Sequence, residues 1–299
     1  MPKRSLHDRA LGSYLGLAIG DALGATVEFM TAAEIAAVYG VHRDLTGGGW
    51  LHLKPGRVTD DTEMAMALGE AILASPDGWD LRTVADAFVA WMQSRPPDIG
   101  HTCRRGIRRY QQTGILVSSP SDDESGNGAA MRNLPVVLST LWNPAAARER
   151  SLAQARITHH HPYSDAAVLA LGDITRTWIL GAELAAGIRL AHALVEAHPV
   201  FKFRPWPGRA SGYVVDTVQT VLDAVINTDT FEDCLVHAVN RGGDADTIGA
   251  LAGQLAGALY GASAIPNRWL RRLEPSVNAT IHRQTTALLA LAIRTSAPL

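Results

Sequence analysis

The sequence predicts an all-α fold, in a single multi-helix domain over residues 1–299. Apolar residues recur at intervals of three and four along most of the chain, which is the period of a helix with one buried face. Runs that alternate apolar and polar residues between turn signals, as half-buried strands do, are scarce. The segments rich in glycine and proline are short, so none of them has the character of a linker between domains.

Helical periodicity defines seven segments, and glycine- or proline-rich stretches define three loops between helices. The second and sixth helices each follow a short acidic stretch, and the first and sixth carry regularly spaced glycines. The predicted helices cover residues 11–23, 62–74, 81–92, 166–180, 214–226, 248–260 and 280–293. The predicted loops cover residues 45–57, 118–128 and 202–212.

Composition and charge argue against several classes of protein. The 299 residues carry a formal net charge of −2, which argues against a nucleic-acid-binding protein that works by bulk electrostatics. Only Cys103 and Cys234 are present, without a CxxC spacing, so neither a disulfide framework nor a zinc site is indicated and a cytoplasmic location is expected. No uncharged apolar run reaches about 18 residues, so no membrane span is predicted.

Glycines recur at every fourth residue in two of the predicted helices. The two sets are Gly12, Gly16, Gly20 and Gly24, and Gly249, Gly253, Gly257 and Gly261. A glycine inside a helix costs about 0.5–1 kcal/mol relative to alanine, so a compensating gain such as close backbone packing is expected. We predict that these two helices pack together at the centre and bring Asp21 and Glu28 near Asp244 and Asp246. The alternative is a scatter of small residues through a chain rich in alanine and glycine.

Two acidic stretches lie far apart in the sequence and share one composition. Residues 59–63 (TDDTE) and residues 242–247 (GGDADT) each place carboxylates and a threonine hydroxyl where a helix begins. Neighbouring carboxylates repel one another unless a cation lies between them, and Mg²⁺ and Mn²⁺ prefer such oxygen ligands. Helix capping is the alternative, because Thr, Asp and Glu are common at helix N-termini. The recurrence of the pattern favours one metal site shared by both stretches.

Five motifs resemble those of the ADP-ribosylglycohydrolase family and follow the family's order. They are Gly20-Asp21-Ala22-Leu23-Gly24 followed by Glu28, residues 56–62 (GRVTDDT), residues 126–132 (GNGAAMR), residues 211–217 (SGYVVDT) and residues 242–247 (GGDADT). Within the family, the sequence is most similar to the subgroup that acts on dinitrogenase reductase in nitrogen-fixing bacteria.

This resemblance implies an all-α fold of the family's type with two divalent cations, Mn²⁺ or Mg²⁺. It also implies hydrolysis of the N-glycosidic bond that joins ADP-ribose to an arginine of a target protein. The implied target is the nitrogenase iron protein, and a regulatory protein partner is possible. The implied metal ligands are Thr59, Asp60, Asp61, Asp244, Asp246 and Thr247.

Proton transfer to the leaving group calls for a carboxyl group outside the metal cluster. Asp98, in the loop formed by residues 95–100 (RPPDIG), is the first candidate. Glu28 is the second, either as a general acid–base group or as a gate beside the metals. Asp98 could instead be the N-cap of a helix that starts near His101.

Three further positions are candidates for binding the ADP-ribosyl group. Gly126-Asn127-Gly128 is predicted to cradle the diphosphate, because glycines let backbone N–H groups approach anionic oxygens; a GNG sequence alone is more often a turn. Tyr213 is expected to contact the adenosine, the alternative being a half-buried aromatic residue at a helix start. The resemblance assigns His159 to the distal ribose, and three consecutive histidines cannot all face one metal ion in regular structure.

Two rival functions are open to an acidic all-α protein. An isoprenoid-type diphosphate enzyme would carry a DDxxD motif, whereas Asp60-Asp61 is followed by Thr62, Glu63 and Met64. The second rival is a non-enzymatic ADP-ribose-binding relative. The full set of implied metal ligands argues against it.

Overall fold

Fourteen α-helices make up most of residues 4–296, the part of the chain that this computed structural model describes. The first three and last three positions of the predicted 1–299 domain lie outside that part. The helices are α1 (Leu6–Gly24), α2 (Ala32–Tyr39), α3 (Asp60–Ala74), α4 (Leu81–Gln93), α5 (His101–Thr113), α6 (Leu134–Ser139), α7 (Pro144–Ala155), α8 (Pro162–Ile179), α9 (Leu184–Ala197), α10 (Val214–Ile226), α11 (Phe231–Val239), α12 (Ala245–Tyr260), α13 (Asn267–Arg272) and α14 (Pro275–Ser296). Short 3₁₀ turns lie at Asp122–Glu124, Pro199–Phe201 and Ala262–Ala264.

The predicted all-α fold is confirmed. Residues 4–296 contain no β-sheet, and their strand-like pairing is limited to isolated antiparallel bridges. The bridges join Thr31 to Gly242, Gly48 to Leu53, and Gly126 to Tyr213. Within the same range no helix combines the length and the hydropathy that a membrane span requires.

All seven predicted helices form, and several begin earlier than the apolar period indicates. The Ser5 hydroxyl accepts the backbone N–H of Asp8, so the first helix starts at Leu6. In α8, His161 is the N-cap and Pro162 takes the first helical position, where its fixed φ and missing N–H are tolerated. Residues 214–226 form α10 with the predicted bounds.

The centre of the molecule is the antiparallel pair α1 and α12, which are buried along nearly their whole length. A Cβ added at Gly20 would lie 1.9 Å from the carbonyl oxygen of Gly249, and one at Gly16 would lie 2.1 Å from that of Gly253. No side chain fits such gaps, so the predicted close backbone packing is confirmed.

Two of the eight spaced glycines serve the interface differently. Gly24 faces the carbonyl of Ala245 rather than another glycine, and Gly261 ends α12 with a φ of +77°. Because α1 and α12 are antiparallel, the C-terminal end of α1 lies beside the N-terminal end of α12. The segment after α1 therefore meets the second acidic stretch.

Candidate metal centre and active-site cleft

The two acidic stretches meet at the N-terminal ends of α3 and α12. The Thr59 hydroxyl oxygen lies 3.4 Å from a carboxylate oxygen of Asp246, and the Thr247 hydroxyl oxygen lies 3.3 Å from one of Asp61. These contacts join residues 187 and 186 positions apart in the sequence. The stretches thus form one cluster, as the sequence predicts.

Asp21, on α1, holds the start of α3 in place. Its carboxylate accepts the backbone N–H of Thr59 at 3.0 Å and that of Thr62 at 3.1 Å. It also accepts the hydroxyls of the same two threonines, at 2.9 and 2.5 Å. Burial raises the pKa of Asp21 to about 6, against the lowering effect of these hydrogen bonds. A residue from another helix therefore supplies the cap of α3.

Helix capping does not explain the N-cap residues of the two stretches. Thr59 and Asp244 occupy the N-cap positions of α3 and α12, yet neither side chain caps its own helix. Asp60 accepts the backbone N–H of Gly100 at 3.0 Å, and Asp244 accepts the side-chain amide of Asn127. These two carboxylates thus bind groups outside their own helices, whereas Asp246 also accepts the first-turn N–H of Thr247 at 2.8 Å.

Carboxylate oxygens converge there in two overlapping groups. Oxygens of Glu28, Asp244 and Asp246 lie within 4.8 Å of one another, and so do oxygens of Asp60, Asp98 and Asp246. Asp246 belongs to both groups. Each group brings together enough carboxylate oxygens to contribute to a metal site.

Burial raises the pKa of each of these acids, and repulsion by neighbouring carboxylates adds to the effect for all of them except Asp98. The pKa of Asp60 rises to about 7, first through burial and then through the charge of Asp98. The pKa of Glu28 rises to about 8 through burial, and nearby Asp244 adds to it. Asp61 and Asp246 are raised well above the ordinary range for the same reasons.

The cluster has the chemistry of a site for hard divalent metal ions. Within residues 4–296, none of its acids forms an ion pair with a lysine, arginine or histidine. One oxygen of Asp61 is buried without any hydrogen-bond partner among those residues. Buried carboxylates without a compensating charge are costly, and an oxygen-only donor set matches Mg²⁺ or Mn²⁺. Asp61 and Thr59 do not line the open cleft but lie behind it.

A cleft of about 350 Å³ opens over the cluster. Its acidic wall includes Glu28, Asp98 and Asp246. Asp98 is half-buried, burial raises its pKa, and its Oδ1 accepts the backbone N–H of Ile99 at 2.7 Å. Helix α5 begins at His101 with Gly100 as its N-cap, so the alternative role of Asp98 as that cap is wrong.

Another part of the cleft wall is formed by the GNG segment (residues 126–128) and His159, which are not acidic. A Cβ at Gly126 would lie 3.1 Å from the His159 ring, and one at Gly128 would lie 2.9 Å from it. The His159 ring is buried, its Nδ1 lies 2.8 Å from the Thr158 hydroxyl, and its pKa is lowered to about 3 by burial and by Arg132. A neutral imidazole therefore faces the cleft.

Asn127 ties this segment to the acidic cluster. Its side-chain amide donates to Asp244 and, at 2.9 Å, to the Thr217 hydroxyl. Its backbone N–H donates to the carbonyl of Gly212 at 3.1 Å and is already engaged. Tyr213 pairs with Gly126 through a backbone bridge, is half-exposed, and lies outside the residues that line the cleft.

The structure adds three contributions that the sequence did not predict: the capping by Asp21, the anchoring of Asp244 by Asn127, and the contact of Trp50 with Glu28. The indole N–H of Trp50 donates to a carboxylate oxygen of Glu28 at 2.6 Å. Each contribution depends on a contact between distant segments, whereas residue type and local spacing inform only on neighbours in the sequence. Asp21 lies in the Gly20–Gly24 motif, but nothing in that motif shows which groups it binds.

Comparison with known proteins supports the resemblance to the ADP-ribosylglycohydrolase family. The model of the ADP-ribosylglycohydrolase family matches residues 2–297. The chain is 56% identical over 288 residues to the ADP-ribosyl-[dinitrogen reductase] glycohydrolase of Rhodospirillum rubrum, covering 96% of this chain and 98% of that protein. It is 34% identical to the ADP-ribosylarginine hydrolase Tri1 of Serratia proteamaculans, over 91% of this chain and 77% of that protein.

A solved structure described as an ADP-ribosylglycohydrolase-related protein complex superimposes with a TM-score of 0.84 at 34% identity. The match covers 96% of this chain and 99% of that one. With a family match that spans nearly the whole sequence, the chain belongs to the ADP-ribosylglycohydrolase family.

Proposed function

We propose that this protein is a metal-dependent hydrolase that removes ADP-ribose from a modified arginine of dinitrogenase reductase, the nitrogenase iron protein. The observation that carries the proposal is a cleft floored by buried carboxylates, none of which forms an ion pair with a lysine, arginine or histidine within residues 4–296. The names of the relatives from R. rubrum and S. proteamaculans supply the bond and the target. One continuous hydrophobic core, from Ala10 to Ala292, supports treating residues 1–299 as a single domain.

Two cations, Mn²⁺ or Mg²⁺, would be held by the two stretches at the ends of α3 and α12. The proposed ligands are Thr59, Asp60, Asp61, Asp244, Asp246 and Thr247. When bound, such cations supply Lewis-acid polarisation of ribose hydroxyls and of a water molecule. Asp21 and Asn127 would keep these ligands oriented, because they fix the start of α3 and the carboxylate of Asp244.

The reaction forms a bond from a water oxygen to the anomeric carbon and breaks the bond from that carbon to the guanidine nitrogen. A proton must leave the water and another must reach the departing nitrogen. We assign proton transfer to Asp98, because its carboxylate lines the cleft and, within residues 4–296, accepts a hydrogen bond from a single backbone N–H. Glu28 is the second candidate, because Trp50 fixes its position. Burial raises the pKa of Cys103 to about 12, so a thiolate nucleophile has no support.

The remaining wall of the cleft would bind the rest of ADP-ribose. His159 is neutral and can accept or donate a hydrogen bond to a ribose hydroxyl. Gly126 and Gly128 leave room beside the ring, and Asn127 sets the position of the segment. Tyr213 would contact the adenosine outside the cleft proper. A cytoplasmic location is part of the proposal and is supported by the two free cysteines.

The decisive test measures by chromatography whether the protein releases ADP-ribose from arginine-modified dinitrogenase reductase. Release in Mn²⁺ or Mg²⁺ and its loss with a chelator are expected. Asp61→Asn should lower release at a fixed Mn²⁺ concentration by at least about 10–100-fold, the range known for groups that support a metal site. Asp77→Asn, at an exposed acid remote from the cleft, is the matched control. A metal-loaded protein that binds ADP-ribose but releases none would instead indicate the non-enzymatic alternative.

A further inference from the structure

Two exposed aromatic rings, those of Phe29 and Trp50, line the cleft. Phe29 is 64% exposed and Trp50 is 49% exposed, and their ring centroids lie 5.4 Å apart at an interplanar angle of 45°. Both residues line the same cleft as Glu28 and Asp244. Burial therefore contributes little to keeping Phe29 at this position.

The backbone of Phe29 also disfavours an aromatic residue. Its φ is +63°, in the left-handed region where glycine or asparagine would be less strained. The conformation is imposed by pairing with the segment before Asp244, because the Phe29 N–H donates to the carbonyl of Gly243 at 2.7 Å and the Gly243 N–H donates to Met30 at 2.8 Å. A strained and exposed phenylalanine beside an acidic cleft suggests that the ring serves binding.

The position of Trp50 is also fixed by its surroundings. Three glycines with positive φ, Gly47, Gly48 and Gly49, precede it, and a Cβ at Gly49 would lie 2.5 Å from the carbonyl of Ala25. The hydrogen bond from its indole to Glu28 fixes the direction of the ring. The rings of Phe29 and Trp50 are thus held in position before any ligand binds.

The chemistry of the pair fits a planar cation. Elsewhere in this chain four arginines lie over aromatic rings, those of Phe88, Trp79, Trp206 and Trp269. Within residues 4–296 no arginine or lysine lies over Phe29 or Trp50. An aromatic face beside carboxylates attracts a guanidinium through both the ring quadrupole and the local negative charge.

We propose that Phe29 and Trp50 form the subsite for the guanidinium of the modified arginine and make the enzyme favour a cationic leaving group. The inference rests on the proposed function, which supplies the arginine. ADP-ribosyl groups attached through a neutral oxygen would lack this contact and bind less tightly in the ground state.

The test uses two small inhibitors with the metal-loaded protein: methylguanidine, which is a cation, and methylurea, which is neutral and of similar shape. Phe29→Leu and Trp50→Leu should each raise the inhibition constant of methylguanidine by about 3–10-fold, the range expected for losing one cation–π contact. The constant for methylurea should stay unchanged. Trp50→Phe keeps a ring but loses the bond to Glu28, and should retain the preference for the cation.

Trp142→Leu, at an exposed tryptophan outside the cleft, is the matched control and should change neither constant. Circular dichroism checks folding, and if one leucine variant fails to fold, the other decides the result. An unchanged constant for methylguanidine, or equal losses for both inhibitors, would overturn the subsite. If the wild type releases no ADP-ribose from arginine, the proposed function fails, and calorimetric titration with the two compounds still tests the aromatic pair.

Discussion

Asp21 shows how a residue that does not line the cleft can determine its geometry. It accepts hydrogen bonds from the backbone and hydroxyl of both Thr59 and Thr62. An asparagine has one acceptor oxygen instead of two, and its amide group would face donors. Asp21→Asn should therefore weaken Mn²⁺ binding by about 10–100-fold, as is usual when a group that orients metal ligands is lost. Calorimetric titration with Mn²⁺ measures this, with Asp77→Asn as control; equal affinity in both variants would contradict the role.

Asp98 and Glu28 can be separated by measuring turnover and metal affinity in the same variants. If Asp98 transfers the proton, Asp98→Asn should lower kcat by about 10²–10⁴-fold while leaving the affinity for Mn²⁺ unchanged. Glu28→Gln should have the smaller effect on kcat. A parallel loss of Mn²⁺ affinity in Asp98→Asn would instead make Asp98 a metal ligand, within the group of oxygens that it forms with Asp60 and Asp246.

Sequence reasoning at this scale succeeds where a motif carries the chemistry itself. Asp60 and Asp61 are adjacent in the chain, and Asp244 and Asp246 are two positions apart, so the crowding within each pair is visible without a structure. The donors to Asp21 are 38 and 41 positions away, and Trp50 reaches Glu28 across 22. Such contacts follow from the packing of helices, which residue type and spacing do not specify.

The α1–α12 pair carries the clearest prediction at the scale of elements. Gly253→Ala places a methyl group 2.0 Å from the carbonyl oxygen of Gly16, where only backbone could move. Overpacking usually costs about 1–3 kcal/mol, and a backbone clash at the centre should reach or exceed that range. Gly172 in α8 is the matched control, because its nearest neighbours lie 3.5 Å from an added Cβ. Gly172→Ala should instead gain up to about 1 kcal/mol. Urea unfolding followed by circular dichroism compares the two, and equal stability would refute close packing.

Helices were predictable in proportion to how regularly their apolar residues repeat. Residues 214–226 are buried on almost every side and are predicted to the residue. Helix α5 is the opposite case, because arginines dominate its sequence and only Cys103, Gly106, Ile107 and Tyr110 are buried. Only the preceding loop, which carries Asp98, indicates where α5 begins. Short helices such as α6 and α13 have too few turns to show a period.

The whole molecule buries a set of carboxylates that is stable only when their charge is neutralised. Without metal, protons must do this, so burial raises the pKa of Asp60 to about 7 and that of Glu28 to about 8, from ordinary values of 3.8 and 4.5. The folded state then holds protons that the unfolded chain has already lost. Stability contributed by these groups is present at lower pH and is lost as pH rises toward 8.

Buried histidines have the opposite effect on the pH dependence of stability. Their effect sets the pH window for a test. The pKa of His159 is lowered to about 3 from 6.5, so the unfolded state binds the extra proton and stability rises with pH up to about 6.5. Above that value His159 is neutral in both states. Between pH 6.5 and 8.5 the acids of the cluster therefore dominate, and the chelator-treated protein should lose free energy of unfolding as pH rises.

Divalent cations should remove most of that dependence, because they favour the ionised carboxylates that the folded state presents. At a cation concentration 100 times the dissociation constant, one site adds about 2.7 kcal/mol to the free energy of unfolding. Urea unfolding at pH 6.5, 7.5 and 8.5, with chelator or with Mn²⁺, measures both effects. Asp60→Asn should flatten the pH dependence of the chelated protein, because it removes one of the groups that titrate in this window. A chelated protein that becomes more stable toward pH 8.5 would mean that other groups neutralise the cluster, and the metal assignment would lose its physical basis.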